Sequence, residues 1–256
     1  MQRPFFHFQN IGYQRNPFGA LTDAEWAAIA VLPPAVERIL ADGFEHLQIL
    51  GPMGVGKSTT LLALQSWFEK NQRKGAKMQR KEKSASYFGS AQYRSAKSAD
   101  KIAYEYLPEG QHFFETDTSG LDMFLLDEAQ RLNWWQRRKL VKGAGNSRLR
   151  LIISSHEDLT PLFARKGLDL TSVNLSGEMD VGWITAVLDK RLAYFAIPHQ
   201  PRATLTPAAI TYLFQTFGQN LRQMEYFLYE VWQQLESTGP VDASFLLRLT
   251  TKNKSL

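Results

Sequence analysis

The nonapeptide Gly51-Pro52-Met53-Gly54-Val55-Gly56-Lys57-Ser58-Thr59 constrains this chain more than any other stretch, because it fits G-x-x-x-x-G-K-[ST] at every specified position. Glycines let the backbone wrap closely around an oligophosphate, with successive N–H groups pointing inward. Lys57 reaches the β- and γ-phosphates as a point charge, and the Ser58 hydroxyl ligates the accompanying magnesium ion. The next helix presents its N-terminus to the anion. The pattern carries this meaning only between a strand and a helix. Phe44–Leu50 reads as the strand. Ser58–Glu69 reads as the helix, with Leu61, Leu64, Trp67 and Phe68 near one face. ATP and Mg2+ are therefore the expected ligands.

A second half-site follows from Asp122-Met123-Phe124-Leu125-Leu126-Asp127-Glu128, an apolar strand that ends in two acids. Asp127 is expected to hold the magnesium through its water shell, and Glu128 to orient and polarise the attacking water. An acid beside the magnesium aspartate suits deliberate hydrolysis, whereas a metabolite kinase must restrain water. The reading is therefore an ATPase. Leu149–His156 is a buried-type strand ending in hydroxyls, which places Ser154 or Ser155 to sense the γ-phosphate or the water. His156 reads as a structural histidine.

Cysteine is absent from the 256 residues, so disulfides and thiolate metal sites are excluded, compatibly with a reducing cytoplasm. No apolar run approaches a membrane span, the first ten residues lack the apolar core of a secretory signal, and a cytoplasmic location is expected. A net charge of +5 permits a nucleic-acid partner without requiring one. The charge is uneven. Lys70, Arg73, Lys74, Lys77, Arg80, Lys81 and Lys83 face one acid, Glu82, and Arg94 and Lys97 follow among aromatics. That block suits an exposed loop or a contact to backbone phosphates.

Along the rest of the chain, Thr22-Asp23-Ala24-Glu25 reads as the cap of a short helix, and Pro34–Leu40 as a second one. Phe5, Phe6, Phe8, Tyr13 and Asn16-Pro17-Phe18 are expected to pack on the main domain; in a sharper reading the Asn16-Pro17-Phe18 corner lines the adenine pocket. Ile102–Tyr106 and Gln111–Glu115 read as two strands around a Pro/Gly turn. Asn133–Lys142 reads as a basic helix whose adjacent Trp134 and Trp135 must point in different directions, one into the core. Leu170–Leu175 is a last strand. From Met179 onward the pattern is all helical. The expected division is an extension over 1–35, an α/β nucleotide-binding domain over 36–178 and a helical lid over 179–256.

Together the phosphate loop, the Asp127-Glu128 strand, the hydroxyl-ended strand and the helical tail resemble an AAA+ ATPase. Asn16-Pro17-Phe18, Leu125-Leu126-Asp127-Glu128-Ala129-Gln130 and Gly218-Gln219-Asn220-Leu221-Arg222 are similar to the branch holding ExeA-type secretion ATPases and the transposition regulators MuB, TniB and TnsC. The resemblance implies a three-layer α/β P-loop sheet followed by a small all-helical lid. It implies Ser154 or Ser155 as first sensor, Arg222 as second sensor on the γ-phosphate, and Arg165, with Lys166 as rival, as a finger acting in a neighbouring subunit. It also implies a homo-oligomer, either a hexameric ring or a helical filament, assembled with ATP on duplex DNA. The function implied is regulation of a transposase or another protein partner. An ATP-gated protein-interaction switch without DNA is the alternative. A helicase, suggested by Asp127-Glu128-Ala129-Gln130, needs a second motor domain for which 256 residues leave no room.

Overall fold

The computed structural model describes residues 7–85, 101–146 and 149–253. In chain order the elements are α1 (His7–Asn10), α2 (Asp23–Ile29), α3 (Pro34–Asp42), β1 (His46–Leu50), α4 (Lys57–Ala85), β2 (Ile102–Tyr106) and β3 (Met123–Asp127). They continue with α5 (Trp134–Asn146), β4 (Arg150–Ser155), α6 (Thr160–Ala164), β5 (Leu170–Asn174), α7 (Val181–Phe195) and β6 (Ala203–Leu205). The last are α8 (Pro207–Phe217), α9 (Leu221–Gln234), β7 (Gly239–Val241) and α10 (Ala243–Asn253). Contacts divide the chain into two units. One takes Pro34–Gly51 and Lys57–Asn174; the other takes Met1–Pro33, Pro52–Gly56 and Leu175–Leu256.

The first unit is a five-stranded sheet in the order β2-β3-β4-β1-β5, parallel at every pairing. A parallel sheet covered on both faces needs strands apolar throughout, and β3 is buried along its whole length. Phe124 and Leu126 of β3, with Leu151 and Ile153 of β4, pack against Leu140, Val141 and Ala144 of α5 and Phe163 of α6. Helix α4 packs on β2, β3 and β4. This is the three-layer α/β P-loop NTPase arrangement expected from the sequence. Because all strands run one way, their carboxyl ends share one edge, where open α/β sheets bind ligands. Leu50, Asp127 and Ser155 end their strands there.

Two expectations fail in this unit. Lys70–Lys83 is not an exposed loop, because α4 continues unbroken to Ala85. Lys, Arg, Gln, Ala and Met are strong helix formers, and repulsion between like charges four apart on a helix amounts to only about 0.5 kcal/mol per pair. Gln111–Glu115 is not a strand. The Glu105 carboxylate accepts the amides of Glu115 at 2.8 Å and Thr116 at 2.9 Å, while Phe114 is buried against Phe124. A side chain takes the hydrogen bonds that a ladder would have used.

In the second unit, α7 to α10 form the expected helices, but a two-stranded parallel sheet, β6-β7, sits among them. Thr22 and Glu25 form the expected reciprocal cap on α2. Within this unit Phe18 meets the fully buried Trp232 edge to face at 4.9 Å, and the Tyr13 hydroxyl donates to the Ala203 carbonyl. Phe5 and Phe6 lie outside the described residues. Arg191 fastens the same stretch. Its Nε donates to the Pro17 carbonyl at 2.6 Å, Nη2 to that of Gly19 at 3.0 Å, and Nη1 to the Glu225 carboxylate. Burial pushes the Glu225 carboxyl up, against the pull of Arg191. Among the described residues no helix is long and apolar enough to cross a membrane.

Candidate functional site

Strand β1 delivers the chain to Gly51, and Lys57 opens α4. The Lys57 side chain is nearly closed off from solvent, and its Nζ donates to the Gly51 carbonyl at 2.9 Å. It also lies 3.2 Å from His156 Nε2 and 4.0 Å from Glu128 Oε1. The cation is thus stationed among acceptors, at the start of the helix that an anion would face.

Asp127 is fully buried at the end of β3. One of its oxygens accepts from the Ser154 hydroxyl and the other from the Tyr104 hydroxyl at 3.2 Å. Ser154 also accepts the Glu128 amide at 3.0 Å, so one serine sets both acids. Glu128 itself adopts the left-handed conformation, φ 63° and ψ 40°. That turn swings its carboxylate out of the strand. The carboxylate accepts from Gln130 Nε2 at 2.6 Å and has Arg131 at 3.5 Å and His156 at 3.6 Å. Gln130 in turn accepts the His156 amide at 3.2 Å, and Arg131 donates to the Leu107 carbonyl at 2.6 Å.

These residues fit a magnesium nucleotide. Among the described residues no group of three or more His, Asp or Glu side chains could hold a metal by itself. A magnesium ion that keeps most of its waters and leans on one carboxylate, one hydroxyl and substrate phosphates needs no such cage. Asp127 and Ser58 would supply that carboxylate and that hydroxyl, and Lys57 the charge for the phosphates.

The loop residues Pro52–Gly56 group with the helical unit. At Gly54, φ is +84°, and a Cβ would come within 2.4 Å of Asn220 Oδ1. Only glycine fits that approach. The Gly54 carbonyl accepts the Arg222 amide at 3.4 Å. Asn220 also caps α9 through the Gln223 amide at 3.1 Å. Gly56, at φ +91°, faces open space. Of the other loop residues, Met53 is exposed and Val55 buried.

The structure brings Lys57, Asp127, Glu128 and Ser154 together. Ser155 is turned to a different task, its hydroxyl accepting the Glu157 amide at 2.9 Å. Ser58 and Thr59 lie in the first turn of α4, half-buried. Arg165 and Lys166 are both exposed just after α6, and Arg222 is exposed in the first turn of α9. Lys70 is exposed on α4; Arg73, Lys74, Lys77, Arg80, Lys81 and Lys83 fall on the same helix. Arg94 and Lys97 lie outside the described residues. Neither tryptophan of α5 enters the core: Trp134 is 54% and Trp135 73% exposed, which corrects the expectation that one is buried.

Four residues in the site take no role from the sequence, although Gln130 ends one of the quoted motifs. Tyr104 comes from the middle of β2, and Gln130 and Arg131 from the turn after Glu128. His156 was readable only as a lone histidine past a strand end, yet it stands between Lys57 and Glu128.

No protein-family model matches the chain, and no curated protein matches it in sequence. Among solved structures, a DNA replication initiation factor is similar at a TM-score of 0.50 and 15% identity, over 86% of this chain and 64% of that one. An AMPPCP-bound DnaA from Aquifex aeolicus gives a TM-score of 0.49 at 15% identity, over the same shares. The chain thus spans less than two thirds of either neighbour, and the likeness to the first is one of fold.

Proposed function

We propose that this protein is a regulatory AAA+ ATPase that assembles with ATP on duplex DNA and acts as an adaptor for a transposase. The observation that carries the reading is the convergence of Lys57, Asp127, Glu128 and Ser154 at the carboxyl edge of the sheet. That a DNA replication initiation factor shares the fold favours a DNA-related role.

In this reading Lys57 exchanges the Gly51 carbonyl and its neighbours for the β- and γ-phosphates. Bound magnesium would neutralise charge on those phosphates. Ser154 and Tyr104 hold Asp127 by one oxygen each, and its carboxylate would support the ion through bound water. Glu128 polarises the attacking water, with Gln130 and Arg131 fixing its carboxylate. Ser154 is the first sensor. Its hydroxyl is shared between Asp127 and the Glu128 amide, so a displaced acid moves both. Arg222 acts as second sensor. Arg165 or Lys166 serves as the finger in a neighbouring subunit's site, which makes the contact head to tail, closing as a ring or continuing as a filament. Lys70, Arg73, Lys74, Lys77, Arg80, Lys81, Lys83, Arg94 and Lys97 contact backbone phosphates in a sequence-tolerant, salt-sensitive manner.

Negative-stain electron microscopy with a slowly hydrolysed ATP analogue, with and without duplex DNA, tests this. Rings or filaments that need both nucleotide and DNA are expected. Assemblies indifferent to DNA move the reading to the ATP-gated protein-interaction switch.

A further inference from the structure

Helix α5 turns an unusual face to solvent. Trp134, Trp135, Arg138, Lys139 and Lys142 are all exposed, and the helix contains no acidic residue. Spacing explains the grouping. Trp134, Arg138 and Lys142 are four apart in turn and form one ridge, with Trp135 and Lys139 beside it. The Arg138 guanidinium lies 4.5 Å from the Trp134 ring centroid, and the two indoles meet edge to face at 4.6 Å. Trp135 is more exposed than any other large apolar side chain among the described residues. The Asn133 amide donates to the His112 carbonyl at 3.0 Å, tying in the segment that carries Phe113, itself 48% exposed. The remaining cation, Arg137, is turned inward and paired with Glu157 at 3.1 Å.

Exposed indoles flanked by cations have two things to offer an occupant: flat apolar surface to stack on and positive charge to follow a backbone. An acidic protein would use the charge but gains nothing special from an edge-to-face indole pair. Duplex DNA shows phosphates but keeps its base faces covered. A single strand offers both, since each base has a free π-face and each link a phosphate. We infer that the outer face of α5 binds single-stranded nucleic acid, with bases stacked on Trp135 and Trp134 and phosphates met by Arg138, Lys139 and Lys142. This goes beyond the proposed function, which places duplex contacts on Lys70–Lys97, and does not depend on it.

The test is fluorescence anisotropy of labelled oligothymidylate and oligouridylate with the full-length protein, without nucleotide. Salt-sensitive binding is expected. Trp134→Ala with Trp135→Ala should weaken it by roughly 5- to 150-fold per stacked base lost. Trp135→Tyr should keep most of the affinity, because a phenol still stacks. Both positions are exposed, and an unchanged melting temperature verifies that the variants fold. Arg138→Glu with Lys142→Glu, a second route, should abolish binding. A preference for one of the two oligonucleotides identifies DNA or RNA as the strand. Unchanged affinity in the double alanine variant overturns the inference, as does tighter binding of a poly-glutamate probe with the same tryptophan dependence. Duplex-dependent assembly with ATP is read separately by microscopy, so loss of one result leaves the other standing.

Discussion

Arg191 in the helical unit and Lys57 in the sheet unit are both almost closed off from solvent, but different things meet them. Arg191 spends its donors on two backbone carbonyls and one carboxylate, Glu225, all fixed by the fold. Lys57 donates to the Gly51 carbonyl at 2.9 Å, with His156 Nε2 at 3.2 Å and the Glu128 carboxylate at 4.0 Å among its neighbours. The first arrangement is closed: removing either member leaves the other buried without compensation. The second lies at the carboxyl edge of the sheet, where in the proposed reading phosphate oxygens take the place of the Gly51 carbonyl. The arginine's partners are two carbonyls and an acid outside any proposed site, whereas the lysine's neighbours include the acid and the histidine of the proposed nucleotide site.

The contrast can be broken by substitution. Glu128→Gln should slow ATP hydrolysis by roughly 10²- to 10⁴-fold, the range for losing a positioned general base, while nucleotide binding persists and the assembled state is trapped. Steady-state phosphate release against equilibrium binding of a fluorescent ATP analogue separates the two, and parent-rate hydrolysis would remove Glu128 from its role. The unfolding free energy of this variant in urea should stay within about 1 kcal/mol of the parent, as expected where a carboxylate serves a ligand. Arg191→Met should do the reverse: about 3–5 kcal/mol of stability lost in urea unfolding, much of it recovered when Glu225→Leu is added. If the double replacement is no better than the single one, the clamp on Pro17 and Gly19 outweighs the ion pair.

The smallest effect concerns His46 at the start of β1. Its Nδ1 accepts the Leu151 amide at 3.1 Å, joining β1 to β4, and burial pulls its pKa below the ordinary 6.5. The folded state therefore takes up the proton less readily than the unfolded one. Stability is full above about pH 6.5 and declines as pH falls towards the lowered value, because the unfolded chain binds more protons in that window. Urea midpoints between neutral and mildly acid pH should show this fall, and His46→Gln should flatten it.

Lys57 and Asp127-Glu128 were legible in the sequence because oligophosphate chemistry fixes residue types at short, fixed spacings. Their supporting cast was not. Tyr104 reaches Asp127 only because β2 and β3 lie side by side in register, with Tyr106 opposite Asp127, which no local pattern reveals. Gln130 and Arg131 adjoin Glu128 in the chain, yet their direction depends on the left-handed turn at Glu128. Segment 111–115 carries two aromatics just past a Pro/Gly turn, as a returning strand would, but the deciding partner, Glu105, lies across that turn. Strands β6 and β7, three residues each, pair across more than thirty residues of chain and are too short to leave a period.

Glu128 is one of two described residues other than glycine with positive φ, the second being His199. Holding a side-chain-bearing residue there costs about 1–2 kcal/mol, which glycine would relieve. Selection for folding alone would therefore drift towards glycine at this position. In this chain the proposed catalytic acid and the preferred backbone residue are rivals for one site. A copy that exchanges the acid for glycine can become sturdier as it loses the carboxylate, so thermal stability by itself is a poor guide to whether a natural variant keeps the proposed ATPase.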